Sequence, residues 1–154
     1  MSISTAHTSL TPTTHEMRAG LVDQLGAEVL GVLDRDAAAM GAQPPYPGAL
    51  AVGAAAPGFA LPDARGGQAS LAGLLADGPV VLVFYRGAWC PYCNLQLSVY
   101  QGALADIRDA GATLVAVSPQ TPDQSLTLAE RHALEFPVLS DTPICCPAVT
   151  RVPF

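Results

Sequence analysis

The sequence predicts an α/β fold in which a mostly parallel central sheet is flanked by helices. Two apolar runs of strand length, at residues 79–85 and 113–118, are separated by a segment with helical spacing at residues 93–110. A second helical segment then leads to a short extended stretch at residues 136–140. Strands that alternate with helices form parallel sheets through right-handed crossover connections.

Composition narrows the class of protein. The chain has 154 residues, of which 50% are hydrophobic and 13% charged, so we expect one domain with a substantial core. The formal net charge is −6, and the seven basic residues, all arginines, form no basic stripe. A nucleic-acid partner is therefore not expected. The apolar runs are short and interrupted by Gly or Pro, so no membrane-spanning helix is expected either.

The N-terminal part predicts a tail followed by a helix. Residues 1–14 are rich in Ser and Thr and predict a flexible tail, without the basic and apolar regions of a signal peptide, so we expect a cytoplasmic protein. Residues 15–41 predict an amphipathic helical extension with a break near Gly26 or Gly31. Its apolar face needs a partner, either the main domain or a second subunit in a homodimer. The apolar residues recur at a spacing of four: Met17, Leu21, Leu25, Val29, Leu33 and Ala37.

A Pro/Gly-rich connector at residues 42–55 leads into the main domain, which covers residues 56–154. Its first elements are short. Residues 59–63 predict an edge strand, and residues 64–67 a turn. Ser70 is a suitable N-cap for a short helix over residues 71–75.

The later elements of the main domain are longer. Residues 79–85 are continuously apolar and enriched in β-branched and aromatic residues, which predicts a buried parallel strand. Gly111 stands where the residue after a helix C-cap belongs, at the end of the helical segment. Asp123 or Ser125 can open the next helix, which extends to about Leu134. Gln120 lies in the loop before that helix, and the sequence assigns it no role.

Cys90 and Cys93 form the strongest chemical signal in the chain. They flank Pro91-Tyr92 and lie between a predicted strand and a predicted helix. Backbone N–H groups at a helix N-terminus stabilise a thiolate, and two cysteines three residues apart on a first turn can close a disulfide ring. This context predicts a thiol redox site.

The cysteines have two other possible interpretations. A zinc site needs two further ligands, but Cys145 and Cys146 are adjacent and have no neighbouring histidine, so we expect no metal. Cys90 and Cys93 could also be inert core residues, although their place between strand and helix favours chemistry. We assign Cys145 and Cys146 no role.

Residues 80–97, VVLVFYRGAWCPYCNLQL, resemble the active-site segment of the AhpC/TSA redoxin family, in its peroxiredoxin-like branch. Residues 56–61 resemble the entry segment of the family, residues 115–118 its next strand, and residues 136–141 the stretch that follows. The resemblance covers residues 56–141, with several motifs in the family's order. It implies a thioredoxin-like fold for the main domain.

The resemblance also implies an activity, that of a thioredoxin-dependent thiol peroxidase that reduces hydrogen peroxide or organic hydroperoxides without a cofactor. Cys93 falls on the family's peroxidatic cysteine, and Cys90 on a threonine that usually contacts the peroxide. Trp-Cys-Pro-Tyr-Cys is, however, similar to thioredoxins and glutaredoxins, whose first cysteine attacks. The attacking sulfur therefore stays open between Cys90 and Cys93, which would form the redox disulfide.

Three neighbours of the cysteines are further site candidates. Arg86 stands where many peroxiredoxins have proline, and its guanidinium could stabilise both thiolate and peroxide by charge-assisted hydrogen bonds. Trp89 and Tyr92 are candidates for shielding the site. Thioredoxin or a similar dithiol reductant is the implied partner.

Two alternative functions remain open. The Cys-Pro-Tyr-Cys sequence is compatible with a thiol–disulfide oxidoreductase that acts on protein disulfides. Redoxin domains normally continue with further strands and a closing helix, so the domain at residues 56–154 resembles a C-terminally incomplete one. A truncated, inactive redoxin domain is therefore the other alternative, and the family's second arginine is not carried over to Arg151.

Overall fold

The computed structural model describes residues 10–42 and 50–142, with side chains described from Thr14 onward. The chain divides into two compact units, and the boundary between them lies inside the predicted connector. The predictions for Cys145, Cys146 and Arg151 lie outside the described residues. In the described ranges, no helix is both long enough and apolar enough to cross a membrane.

The N-terminal unit is a pair of helices, α1 (Leu10–Leu25) and α2 (Ala27–Gly41). The chain breaks between them at Gly26, one of the two expected positions, where φ is 83°. Glycine adopts this left-handed backbone without a Cβ clash. Helix α1 begins five residues before His15, so it includes the end of the predicted tail. An ion pair between Arg18 and Asp34 links the two helices.

The main unit opens with a small antiparallel hairpin. Strand β1 (Ala60–Pro62) pairs with β2 (Gln68–Ser70), as the predicted edge strand and turn indicated. The Ser70 hydroxyl then accepts a hydrogen bond from the Gly73 N–H at 3.1 Å and caps helix α3 (Leu71–Ala76). The predicted cap is therefore confirmed.

A parallel sheet forms the centre of the main unit. Its strands are β3 (Val80–Phe84), β4 (Thr113–Ser118) and β5 (Val138–Ser140), in the order β3-β4-β5. Val80 lies opposite Thr113, and Ala116 opposite Val138, with both pairs of strands parallel. The predicted α/β architecture, with strands and helices alternating along the chain, is confirmed.

Helices connect these parallel strands: α4 (Pro91–Gly102), α5 (Leu104–Asp109) and α6 (Pro122–Arg131). The single helix predicted for residues 93–110 is in fact interrupted at Ala103. Gly111 has a φ of 77° and its N–H donates to the Arg108 carbonyl at 2.9 Å, which confirms it as the residue that ends the helical segment. Helix α6 begins at Pro122, slightly before the two predicted starts.

The core occupies both faces of the sheet because successive side chains of β4 point in opposite directions. Leu114 and Ala116 belong to a cluster that includes Leu97 of α4. Val115 and Val117 belong to a second cluster on the opposite face, together with Phe59. The two clusters hold the sheet between α4 and the N-terminal hairpin of the unit.

Strand β3 is less buried than its apolar sequence predicted. Val81 is 41% exposed and Phe84 is 39% exposed. Within the described residues, β3 pairs with β4 alone and so lies at the edge of the sheet. The strand is parallel as predicted, but the prediction that it is buried is wrong, because an apolar run does not distinguish a central strand from an edge strand.

Candidate active site

The two predicted cysteines lie where β3 leads into α4. A short loop leaves the carboxyl end of β3, and Cys90 is the N-cap of α4, with Pro91 at its first position. Proline suits this position because its fixed φ fits the helix and its missing N–H is not needed there. Cys93 follows on the first turn of the helix. The strand-to-helix context predicted for the pair is confirmed.

The structure brings the two thiols together in a protected position. Cys90 is 3% exposed and Cys93 is 8% exposed, and both are free thiols. The side chains hydrogen-bond to each other. Both belong to the core cluster on the α4 face of the sheet. The pair is therefore preorganised within the core, beside the loop that leads into the helix.

The surroundings of Cys90 favour its ionised form. Burial opposes ionisation, but the hydrogen bonds from Cys93 and the charge of the Arg86 guanidinium outweigh it and lower the pKa of the Cys90 thiol. A hydrogen bond from the Arg86 side chain acts in the same direction. Cys90 is therefore the sulfur that loses its proton first.

The surroundings of Cys93 favour its neutral form. Burial raises the pKa of the Cys93 thiol, and so do its hydrogen bond to Cys90 and the charge that Cys90 carries. Two backbone hydrogen bonds, from Arg86 and Gly87, partly oppose this rise. The pair is therefore coupled: one thiolate on Cys90 accepts a hydrogen bond from the protonated Cys93.

The three other predicted site residues are Arg86, Trp89 and Tyr92. The Arg86 guanidinium carbon lies 4.7 Å from the centroid of the Trp89 ring, within range of a cation–π contact. Trp89 is 64% exposed and Tyr92 is 41% exposed, so much of each side chain faces solvent. Trp89 thus covers Arg86 directly, and its shielding of the cysteines stays a prediction, as does that of Tyr92.

Two residues without a predicted role hold the loop before Cys90. The Ala88 N–H donates to Gln120 Oε1 at 2.6 Å, and Asn94 Nδ2 donates to the Ala88 carbonyl at 3.0 Å. Gln120 follows the carboxyl end of β4, where parallel α/β sheets place functional loops. That position was the available sequence signal for Gln120. Asn94 offered none, because its contact depends on how the loop folds back onto α4.

Gly87 allows the loop to pack closely. A Cβ atom there would lie 2.6 Å from Trp89 Nε1 and 2.9 Å from Gln120 Cδ, with φ at 154°. Both distances are shorter than real Cβ contacts, so any side chain would displace Trp89 or Gln120. The loop therefore requires glycine at this position.

The parallel sheet, with a paired-thiol site at the start of α4, places the chain in the thioredoxin-like class of α/β proteins, in agreement with the resemblance of its sequence. A sequence model described as the AhpC/TSA family matches residues 52–145. This match covers more than half of the chain, and the chain therefore belongs to the AhpC/TSA family.

Curated relatives agree with this assignment. Peroxiredoxin Bcp of Escherichia coli is 34% identical over 93 residues, which are 60% of this chain and 58% of the relative. A relative from Mycobacterium tuberculosis is 38% identical over 92 residues, with the same two coverages. The chain thus spans less than two thirds of the length of these relatives.

Solved structures share the fold. Peroxidoxin BcpB from Mycobacterium tuberculosis is 32% identical with a TM-score of 0.56, and the match covers 58% of each chain. A peroxiredoxin Q structure from Xanthomonas campestris is 23% identical with a TM-score of 0.55, and the match covers 61% of this chain and 57% of that one. At that identity, the second likeness supports the fold alone.

Proposed function

We propose that this chain is a thiol peroxidase that reduces hydrogen peroxide or organic hydroperoxides through Cys90 and Cys93. The observation that carries the proposal is the hydrogen-bonded pair of buried thiols at the start of α4, in a chain of the AhpC/TSA family. Relatives of this chain are named peroxiredoxins. The proposed reaction belongs in the cytoplasm, where dithiol reductants are available.

In the first step, one thiolate attacks the terminal oxygen of the hydroperoxide. A sulfur–oxygen bond forms as the oxygen–oxygen bond breaks, and the leaving alkoxide or hydroxide takes up a proton. The cysteine becomes a sulfenic acid, and the peroxide is reduced to an alcohol or to water. The protonated neighbour in the hydrogen-bonded pair is a suitable source of that proton.

In the second step, the other cysteine attacks the sulfenic sulfur. A Cys90–Cys93 disulfide forms, and the sulfenic oxygen leaves as water. A dithiol such as thioredoxin then reduces this disulfide by thiol–disulfide exchange and is itself oxidised. Disulfide closure needs the two sulfurs to be close, and the hydrogen bond between the Cys90 and Cys93 side chains supports this step.

Arg86 is proposed to stabilise the negative charge during the first step. Its guanidinium already favours the Cys90 thiolate by charge and by a hydrogen bond. Trp89 lies over the guanidinium and restricts its position. Trp89 and Tyr92 are proposed to limit access of solvent when a peroxide is bound.

The attacking sulfur has two candidates, supported by different observations. The lower pKa of Cys90 gives it the larger thiolate fraction. Cys93 occupies the position that resembles the peroxidatic cysteine, and backbone groups of Arg86 and Gly87 hydrogen-bond to it. Those groups can stabilise a charge on Cys93 after the proton shifts along the hydrogen bond to Cys90.

A thiol–disulfide oxidoreductase is the second candidate function. The observation that favours it is the lowered pKa of Cys90, the first cysteine of the Cys-Pro-Tyr-Cys sequence. A thiolate at that position suits attack on a protein disulfide. The two activities therefore need to be measured side by side.

Peroxide turnover with dithiothreitol as reductant tests the proposal. We expect the full chain to consume hydrogen peroxide catalytically, and both Cys90→Ser and Cys93→Ser to lose turnover. The variant that retains the attacking sulfur is still oxidised once, which identifies that sulfur. A chain with both Cys145→Ser and Cys146→Ser is the matched control and retains turnover.

The same proteins are assayed for reduction of insulin disulfides. Insulin reduction without peroxide consumption would replace the proposal by the oxidoreductase alternative. Failure of the wild-type chain in both assays would leave a redoxin domain that is inactive as this chain.

A further inference from the structure

The backbone of Ala88 is held on both sides by side chains of different elements. Gln120 lies in the loop after β4, and its Oε1 accepts a hydrogen bond from the Ala88 N–H at 2.6 Å. Asn94, in the first turns of α4, donates to the Ala88 carbonyl at 3.0 Å. The two hydrogen bonds hold the two successive peptide groups that flank the Ala88 Cα, so they restrict the position of the loop at this residue.

Ala88 directly follows the two residues that hydrogen-bond to the cysteines. The backbone groups of Arg86 and Gly87 hydrogen-bond to Cys93, and the Arg86 guanidinium to Cys90. Any shift of the Ala88 backbone is passed on to these donors, because they lie one and two residues away along the chain. The Gln120 side chain also lies against Gly87, where an added Cβ would come within 2.9 Å of Cδ.

Gln120 is itself attached to the rigid part of the unit. Its backbone N–H donates to the Ser118 hydroxyl at 3.3 Å. Ser118 is 1% exposed and is the last residue of β4. Gln120 therefore connects the loop before Cys90 to the end of the central strand.

We propose that Gln120 is a positioning residue, which holds the Ala88 N–H so that the backbone donors of Arg86 and Gly87 and the guanidinium of Arg86 face the two sulfurs. Gln120 acts through the loop and not by touching the reacting atoms. The proposal deepens the thiol peroxidase function and rests on the same two sulfurs. The test of the proposal measures ionisation of the thiols. This measurement does not depend on whether peroxide is the substrate.

The test is the pH profile of iodoacetamide alkylation in the reduced full chain, followed at Cys90 and Cys93 by mass spectrometry of fragments. Gln120→Met keeps the length of the side chain but removes the acceptor oxygen. We expect it to slow alkylation at neutral pH by about threefold to tenfold, the change that corresponds to one net hydrogen bond. The profile should move to higher pH, because the loosened donors stabilise a thiolate less well.

Gln101→Met is the matched control. Gln101 Oε1 accepts the Glu135 N–H at 2.8 Å, a bond of the same kind at the other end of α4. A general loss of stability would affect both variants alike, whereas the proposed role affects Gln120→Met alone. Amide hydrogen exchange at Ala88 supplies a second readout, which we expect to be faster in Gln120→Met and unchanged in Gln101→Met.

An unchanged alkylation profile in Gln120→Met, or an equal change in both variants, would overturn the proposal. If Gln120→Met does not fold, Asn94→Ala carries the same test, because it releases the Ala88 carbonyl. The wild-type chain could fail to react with peroxide while Gln120→Met still shows an altered alkylation profile. This result would reject the peroxidase function and leave the positioning role intact.

Discussion

Cys90 and Cys93 lie on the same turn of the chain, yet their neighbours drive their thiol pKa values in opposite directions. The difference comes from what each sulfur meets. Cys90 accepts hydrogen bonds and lies near the charge of Arg86, and these outweigh its burial. Cys93 is buried beside a sulfur that becomes negative. Reactivity at this site is therefore set by a few groups around the pair and not by the Cys-Pro-Tyr-Cys spacing alone.

Replacement of Arg86 tests this explanation of the pKa of Cys90. Arg86→Met removes the charge and the hydrogen bond that favour the Cys90 thiolate, so we expect the pKa of Cys90 to rise. Alkylation of Cys90 by iodoacetamide at neutral pH should slow by about two- to fivefold, the size expected for an exposed charge. Arg131→Met, at the exposed end of α6, is the control. Equal rates in wild type and Arg86→Met would remove Arg86 from the site.

At the level of elements, local chemistry made much of the fold predictable. Three features follow from the local preferences of the residues that form them. They are the Ser70 cap, the end of the helical segment at Gly111 and the parallel strands. The interruption at Ala103 and the exposure of Val81 depend on packing between elements, which sequence periodicity does not record. The contact of Gln120 with Ala88 joins residues 32 positions apart, and it was unpredictable for the same reason.

The packing of helix α4 can be tested through stability, because this packing holds the cysteines. Leu97 is 1% exposed and belongs to the same core cluster as Cys93. Leu97→Ala should lower the free energy of unfolding by about 2–5 kcal/mol, since it loses buried apolar surface and leaves a cavity.

Leu75→Ala is the control for α4. Leu75 lies in α3 and is 52% exposed, so its truncation should cost much less. Urea unfolding of both variants checks the difference. Similar losses in the two would show that α4 is not packed into the core as described.

For the molecule as a whole, the pH dependence of stability follows from a buried carboxyl group. Asp141 is 2% exposed at the end of β5, and its Oδ1 has no hydrogen-bond partner among the described residues. Burial raises the pKa of Asp141 above its ordinary value. A raised pKa in the folded state stabilises the fold at low pH, and this contribution is lost as the pH rises through the folded-state pKa.

Asp141→Asn is expected to reverse this loss. The amide stays neutral, so the variant should be more stable than wild type at pH 7, with a difference that shrinks as the pH falls towards the ordinary pKa of aspartate. Urea unfolding at several pH values measures the difference, and Asp109→Asn, at an exposed position, is the control. A variant that loses stability at neutral pH would contradict the account of Asp141.

The central claim is that Cys90 and Cys93 together reduce a peroxide, and a single turnover tests it most directly. The reduced chain is mixed with one equivalent of hydrogen peroxide, the fluorescence of Trp89 is followed by stopped flow, and the intact mass is then measured. Trp89 is the single tryptophan of the chain and lies beside the site. We expect a change in Trp89 fluorescence. The intact mass should then show the loss of two hydrogens, located to a Cys90–Cys93 disulfide. An unchanged mass and a flat trace would contradict this claim.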